Sequence, residues 1–199
     1  MCAALAASFY ERRTERVARD LLGAVLRCET PDGVASGRIV ETEAYLGEQD
    51  GACHAAVGRT PRTEGLYGEP GTAYVYFTYG MHWCANAVTR RAGLPSAVLI
   101  RALEPLEGLE LMARRRPNAA DARDFANGPA KLCAALGITG ALNGVPLRRS
   151  RLTIHRGITI PSREVATTPR IGITKAVDWP LRWVWTESEY LSRPYGVRR

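Results

Sequence analysis

Long apolar segments are missing from this sequence of 199 residues. No run approaches the roughly 20 apolar residues that a membrane-crossing helix requires, so we expect no membrane partner. The first seven residues carry no basic region and are too short for the apolar core of a secretory signal. We therefore expect a cytoplasmic protein.

Paired cysteines are missing as well. The five cysteines are odd in number, widely scattered and contain no C-x-x-C pair, which argues against disulfides, an iron–sulfur cluster or a zinc ribbon. A zinc site would need Cys53-His54 to converge with His82 and Cys84, at spacings that match no familiar motif. Serine-hydrolase, P-loop and Rossmann signatures are also absent. We expect no metal and no cofactor.

Basic charge is abundant, and nearly all of it is arginine. The net charge is +7, and Lys131 and Lys175 are the only lysines among 27 basic residues. A basic protein favours a polyanionic partner, because each phosphate that it neutralises releases counterions. Many small basic proteins have no nucleic-acid role, so charge alone leaves the partner open.

Hydrophobic periodicity and turn residues predict one α+β domain over residues 1–199, with a short lead (1–8) and a tail (about 186–199). A capping-box spacing between Ser8 and Glu11 predicts a helix that ends before Gly23. Strands are predicted at 24–29, 34–47, 72–80, 82–90, 96–104 and 152–160, helices at 107–116 and 128–136, and an aromatic tail at 179–195 that packs back on the body. The expected architecture is a curled antiparallel sheet, open like an incomplete barrel, with flanking helices and a protruding hairpin.

The strand at residues 38–46 carries carboxylates beside an aromatic ring. Strand alternation places Ile39, Glu41, Glu43 and Tyr45 on one face. This face can present chemistry while the opposite face packs in the core. The alternative is a strand face that is exposed to solvent and has no chemical role.

Several polar residues lie in a long loop or interrupt apolar strands, and packing of a core does not explain these positions. Residues 47–71 are polar, rich in glycine and proline and without a clear period, which is typical of a functional loop. His54 in this loop either closes over the carboxylate face or is merely exposed. Asn86 and Arg101 interrupt apolar strands, so each needs a buried partner, of the backbone or of a ligand.

The densest aromatic stretch covers residues 74–83, and five of the eight tyrosines lie between positions 45 and 79. Aromatic strands are common in cores. Tyr79 and Met81, however, flank Gly80 at the predicted tip of a hairpin, where a core residue does not belong. A ring at the tip of a basic protein's hairpin suits insertion into a base stack.

Five sequence words occur together and in one order along the chain. They are ARDLLG, GRIVETEAYLG (37–47), PGTAYVYFTYGMHWCANAV (70–88), VLIRALEPLEGLE (98–110) and NGPAKLCAALGI (127–138). In these words, from about residue 18 to 175, the sequence resembles the alkyladenine (3-methyladenine) DNA glycosylase family. It departs from the animal members after the hairpin tip, where His82-Trp83 replaces Tyr-Phe, and this leaves the substrate range open.

The resemblance implies a role for each matching position. It assigns Glu43 as the general base that activates water and Arg101 as the arginine that holds the water and a nearby phosphate. The residues implied to form the base pocket are Tyr45, His54, Tyr76 and Asn86. Tyr79 would be the wedge that fills the space left by the flipped base, with Met81 beside it.

The implied activity is a monofunctional glycosylase that starts base excision repair on double-stranded DNA containing a damaged purine, acting as a monomer. Apart from Lys131, no lysine lies in the motif words, which predicts hydrolysis without a lyase step. Lys131, in the helix after Asn127, is either a phosphate contact or a surface charge. The rival interpretations are a non-catalytic nucleic-acid-binding module, a metal-dependent hydrolase, and the same fold acting on another lesion or on single strands.

Overall fold

The structure, a computed structural model, describes residues 3–78 and 80–195. It confirms the predicted α+β class: within those residues, one antiparallel sheet of eight strands is flanked by four α helices. The strands are β1 Val25–Thr30, β2 Gly33–Tyr45, β3 Ala73–Thr78, β4 His82–Val88, β5 Ala97–Glu107, β6 Leu152–His155, β7 Val165–Thr168 and β8 Arg182–Trp185. Their spatial order is β3-β4-β5-β2-β1-β6, with β8 joining β2 and β7 joining β8.

The long strand β2 organises the sheet. It pairs with β5 along one edge, and along the other edge with β1 in its first half and with β8 at residues 41–43. Register shifts on both sides of Glu41 interrupt the alternation, so the predicted face is wrong in part. Ile39 packs in the main core with Ala44, whereas Glu41 and Glu43 are 0% exposed. The strand is therefore not a solvated face.

A short segment joins the two outer strands and makes the sheet curl. The Ala73 amide donates to the Val145 carbonyl at 2.8 Å, and the Leu147 amide donates to the Gly71 carbonyl at 2.8 Å. On the other side, the Ile154 amide of β6 donates to the Leu147 carbonyl at 2.9 Å. Residues 144–147 thus bridge β3 and β6, and the sheet closes around its core.

Four helices cover the core: α1 Ala7–Tyr10, α2 Thr14–Asp20, α3 Leu109–Arg115 and α4 Pro129–Leu136. α4 has the predicted bounds, with Pro129 in its first turn and Gly137 (φ +73°) after its end. The prediction of a single N-terminal helix was wrong, because the chain turns between α1 and α2. Ser8 lies inside α1 and has no capping role. The Arg12 guanidinium holds this turn by donating to the Phe9 carbonyl and pairing with Asp20.

Two other predicted ends were wrong. β6 stops at His155 instead of residue 160, because the Ile158 amide turns to donate to the Gly23 carbonyl. β5 continues to Glu107, so α3 begins at Leu109 after Gly108. The aromatic tail does pack back, since Trp183 and Leu191 are buried. None of the described helices is both long and apolar enough to cross a bilayer.

Candidate active site

A cavity of about 790 Å³ opens where β2, β3, β4 and β5 approach the loop at residues 51–63. It lies within the range that small-molecule sites occupy. Its walls include five of the residues predicted from the sequence: Tyr45, His54, Tyr76, Asn86 and Arg101. These come from four strands and one loop, so only the curled sheet brings them together.

Glu43 lies directly behind this wall, fully buried. One carboxylate oxygen accepts the Ile171 amide at 2.8 Å, and the other accepts the Tyr45 hydroxyl at 2.9 Å and lies 3.3 Å from Arg101 Nη1. Burial raises the pKa of Glu43 above its usual value, although Arg101, Ile171 and Tyr45 all oppose this effect. The site thus holds a carboxylate of increased basicity next to an aromatic wall.

A second buried carboxylate, Glu41, shares Arg101 with Glu43. Arg101 Nε donates to Glu41 Oε1 at 3.0 Å, and Arg182 Nε donates to the same oxygen at 2.7 Å. Ser192 adds its amide at 2.7 Å and its hydroxyl at 2.8 Å. Burial alone would raise the pKa of Glu41, but Arg182 and Arg101 together hold it below its usual value. Glu41 is therefore a carboxylate that stays charged.

Three aromatic side chains that line the cavity lie against one another. His54 and Tyr76 meet edge to face, with centroids 4.4 Å apart, and Tyr74 lies 5.4 Å from Tyr76. His54 Nδ1 is hydrogen-bonded to the Tyr74 hydroxyl at 3.1 Å. Burial, helped by Arg62, lowers the pKa of His54, so the ring is neutral at pH 7. Tyr74 also lines the cavity, although the family resemblance assigned no role to this residue.

A buried ion pair fixes the loop that carries His54. Arg170 donates to both oxygens of Asp50, at 2.5 and 2.7 Å, and to the Ala44 carbonyl at 3.0 Å. Its guanidinium also lies over the Tyr45 ring, 4.7 Å from the centroid. The pair spans 120 residues of sequence, and no local pattern indicates it. It ties the loop, the Tyr45 ring and the Ile171 amide into one unit.

Asn86 is held from one side and faces the cavity with the rest. Its Nδ2 donates to the Tyr74 carbonyl at 3.0 Å across the β3–β4 pair. The backbone partner that a buried amide needs is therefore present, and the residue still lines the cavity. Asn86 can therefore have its buried amide hydrogen-bonded to the backbone and still contribute to the cavity wall.

Comparison with known proteins shows the family to which the chain belongs. The sequence model of the family described as Methylpurine-DNA glycosylase matches residues 8–189. The chain belongs to this family. A protein of Methanocella arvoryzae is 49% identical over 87% of this chain and 86% of its own length. Proteins of Rhodopseudomonas palustris and Myxococcus xanthus are 48% and 46% identical, over 94% and 96% of this chain and 87% and 96% of their own.

These three relatives carry the provisional name 3-methyladenine DNA glycosylase. Membership makes the chain a DNA glycosylase of DNA repair, as the resemblance implied. In this glycosylase, residues 3–78 and 80–195 contain no cluster of three or more His, Cys, Asp or Glu side chains arranged to hold a metal ion. The Cys/His convergence that a zinc hydrolase needs is thus not found there.

The hairpin tip of the glycosylase is apolar and exposed. The predicted wedge, Tyr79, lies outside the described residues. On either side of it, Met81 is 68% exposed and Phe77 is 45% exposed. Neither His82 nor Trp83 is among the residues that line the cavity. Trp83 instead packs against Phe77 and Gly140.

The two lysines of the glycosylase have different surroundings. Lys131 forms an ion pair with Asp124 and donates to Asn127 at 2.9 Å. A phosphate that binds Lys131 must therefore compete with these partners. Lys175, which lies outside the matching motif words, is exposed on the cavity wall. The expectation of no lyase step rested on the motif words alone, and these do not contain the Lys175 amine.

Proposed function

We propose that this glycosylase hydrolyses the N-glycosidic bond of alkylated or deaminated purines that have been flipped out of duplex DNA. The proposed substrates are 3-methyladenine, 7-methylguanine, hypoxanthine and ethenoadenine. The observation that carries the proposal is the buried Glu43 carboxylate immediately behind an aromatic cavity. Unpairing a damaged base costs less than unpairing a normal one, which adds selectivity before chemistry begins.

The rings account for the preference for cationic purines. Because His54 and Tyr76 already touch, a base would lie against this pair, with Tyr45 on its other side. A methylated purine carries positive charge, so stacking on the rings adds a cation–π attraction that a normal base lacks. The neutral state of His54 avoids repelling that charge. Asn86 would disfavour uncharged purines with a guanine-type amino group, which lack the cation–π attraction of a methylated purine.

Glu43 would act as the general base. The bond from C1′ to the base breaks with its electron pair leaving on the base, while the water oxygen bonds to C1′ and a water proton passes to Glu43. A carboxylate offers about four acceptor positions. Ile171 and Tyr45 each use one, which leaves places for Arg101 and a water. The negative charge also stabilises the electron-poor sugar in the transition state.

The leaving group decides how much help the enzyme must give. A cationic methylpurine departs as a neutral base and needs little acid catalysis, whereas hypoxanthine or ethenoadenine must gain a proton or hydrogen bonds as it leaves. We propose hydrolysis without strand cleavage, since the hydrogen bonds and ion pair of Glu43 among the described residues come from Tyr45, Ile171 and Arg101 and none comes from a lysine. A monomer that inserts Tyr79, with Met81 beside it, into cytoplasmic double-stranded DNA is sufficient for this reaction.

The test uses duplex oligonucleotides that carry one hypoxanthine or ethenoadenine, and methylated DNA in parallel, with alkali to reveal abasic sites. We expect release by the wild type, with and without chelator, and a rate about 10²- to 10⁴-fold lower for Glu43→Gln. Glu104→Gln is the matched control, because Glu104 pairs with Arg38 on the same sheet outside the cavity.

Each outcome separates the rivals. Tight DNA binding without release from any substrate would favour the non-catalytic binding module. Activity that chelator abolishes would favour the metal-dependent hydrolase. Equal loss in Glu104→Gln and Glu43→Gln would remove the special role of Glu43.

A further inference from the structure

A balanced group of four buried charges lies in and directly behind the cavity wall. It contains two carboxylates and two guanidinium groups: Glu41, Glu43, Arg101 and Arg182. Arg101 is 7% exposed and Arg182 is 6% exposed, and both carboxylates are fully buried. Charges with so little access to water must be compensated by one another. A change in any one of them is therefore felt by the other three.

Within this group, Arg182 contacts Glu41 and not the cavity. Its Nε donates to Glu41 at 2.7 Å, and its Nη1 donates to Thr168 at 2.9 Å. In the described part of the chain it makes no ion pair with Glu43 and does not line the cavity. Its Nη2 is buried without a hydrogen-bond partner among the described residues, which is a cost that packing alone does not explain.

Among the described residues, Arg101 is the one cation that forms ion pairs with both carboxylates. Its Nε binds Glu41 at 3.0 Å, and its Nη1 lies farther from Glu43, at 3.3 Å. Without Arg182, Glu41 would draw Arg101 away, because Arg101 would be the one guanidinium among the described residues left to form ion pairs with the two buried carboxylates. We propose that Arg182 is a positioning residue for the glycosylase reaction: by neutralising Glu41, it keeps Arg101 available to Glu43.

This inference rests on the proposed function, because it requires a charged Glu43 in the reaction. The ionisable groups that face the Glu43 carboxylate come from every element around it: Arg101 of β5, Glu41 and Tyr45 of β2, Tyr76 of β3, Arg170 before Ile171, and Arg182 of β8. Of these, Glu41, Arg170 and Arg182 are not among the residues that line the cavity, and Glu41 and Arg182 form an ion pair with each other.

The test measures single-turnover base release against pH, from about pH 5 to about pH 9. Arg182→Gln should raise the pKa of Glu43, so the acidic limb of the pH–rate profile should move to higher pH. The rate of base release should therefore fall about 10- to 100-fold at the acidic end of the profile and return to the wild-type rate at high pH. Glu41→Gln removes a negative charge, so its acidic limb should move the opposite way. The double variant restores the charge balance and should return close to the wild-type profile.

Controls separate positioning from structural damage. Arg182→Lys keeps the charge and should keep most of the profile, and Arg38→Gln removes an arginine from another β2–β5 ion pair and should not move the limb. A loss that is equal at every pH, or a double variant that shows the sum of both losses, would overturn the inference. If Arg182→Gln does not fold, the test depends on Glu41→Gln alone, for which the acidic limb of the pH–rate profile should move to lower pH.

Failure of the inference and failure of the proposed function look different. If the wild type releases no base from any of the substrates, the proposed function itself fails. If the wild type is active and Glu43→Gln is not, while the limbs of Arg182→Gln and Glu41→Gln stay in place, only the positioning role is wrong.

Discussion

The Tyr45 hydroxyl donates to Glu43 at 2.9 Å, so a ring of the cavity wall and the buried carboxylate are directly joined. On its other side, the Tyr45 ring lies under the Arg170 guanidinium, at 4.7 Å. A base that stacks on this ring would therefore press on a group already bonded to the proposed general base. Under the proposed function, base recognition and water activation would both depend on the Tyr45 side chain.

Tyr45→Phe should change the pH dependence of base release. It removes a donor that favours the charged carboxylate, so the pKa of Glu43, already raised by burial, should rise further. We expect a loss of about tenfold at the acidic end and little loss at high pH, measured by single-turnover kinetics. Tyr10→Phe is the matched control, since Tyr10 is buried outside the cavity. An unchanged acidic limb in Tyr45→Phe would contradict the expectation.

Asp50→Asn should destabilise the fold by about 3–5 kcal/mol, because it leaves the buried Arg170 without its counter-charge. Burial alone would raise the pKa of Asp50, but the bonds from Arg170 hold it below its usual value. A depressed folded-state pKa contributes stability above the unfolded value of about 3.9 and loses it as the pH falls through the folded value.

The difference in urea midpoint between wild type and Asp50→Asn should therefore be constant near neutral pH and shrink below about pH 4. Asp32→Asn is the comparison, because Asp32 is 72% exposed in its pair with Arg115 and should cost at most about 1 kcal/mol. Equal midpoints for both variants at pH 7 would show that the buried pair does not hold the loop.

Met81→Ala should weaken DNA binding without weakening the fold. The side chain is 68% exposed at the hairpin tip, so its removal should change the free energy of unfolding by less than about 0.5 kcal/mol. Loss of its apolar contact with DNA should raise the Kd for lesion duplex about 5- to 50-fold. Ile158→Ala, also exposed but next to Gly23, is the control. Equal Kd values for both variants would remove Met81 from the DNA-contacting surface.

Borohydride reduction tests the absence of a lyase step. An amine that attacks C1′ forms an imine with the opened sugar, which borohydride traps as a covalent adduct. We expect no adduct and no strand breaks before alkali treatment. The exposed Lys175 on the cavity wall makes this a demanding test. An adduct that forms with wild type and disappears in Lys175→Ala would make the enzyme bifunctional.

Signals from neighbouring residues were enough to predict the elements whose ends depend on those residues alone. Pro129 and Gly137 bound α4 as predicted, because a missing amide and a left-handed residue act within one turn. The strands predicted at 24–29 and 34–47 likewise pair as the β1–β2 hairpin. The Ser8–Glu11 spacing failed, because side-chain bonds of Arg12 across the following turn outweighed a local helix signal.

The sequence by itself determined the family, the class of fold and the residues that the cavity gathers, because five motif words retain their order and residue types. Only the tertiary structure decided how those residues act on one another. The pairs Glu41–Arg182 and Asp50–Arg170 join positions 141 and 120 residues apart, and the register shift at Glu41 depends on which strands flank β2. Pairing of buried charges is set by burial and distance, and neither quantity exists until the chain has folded.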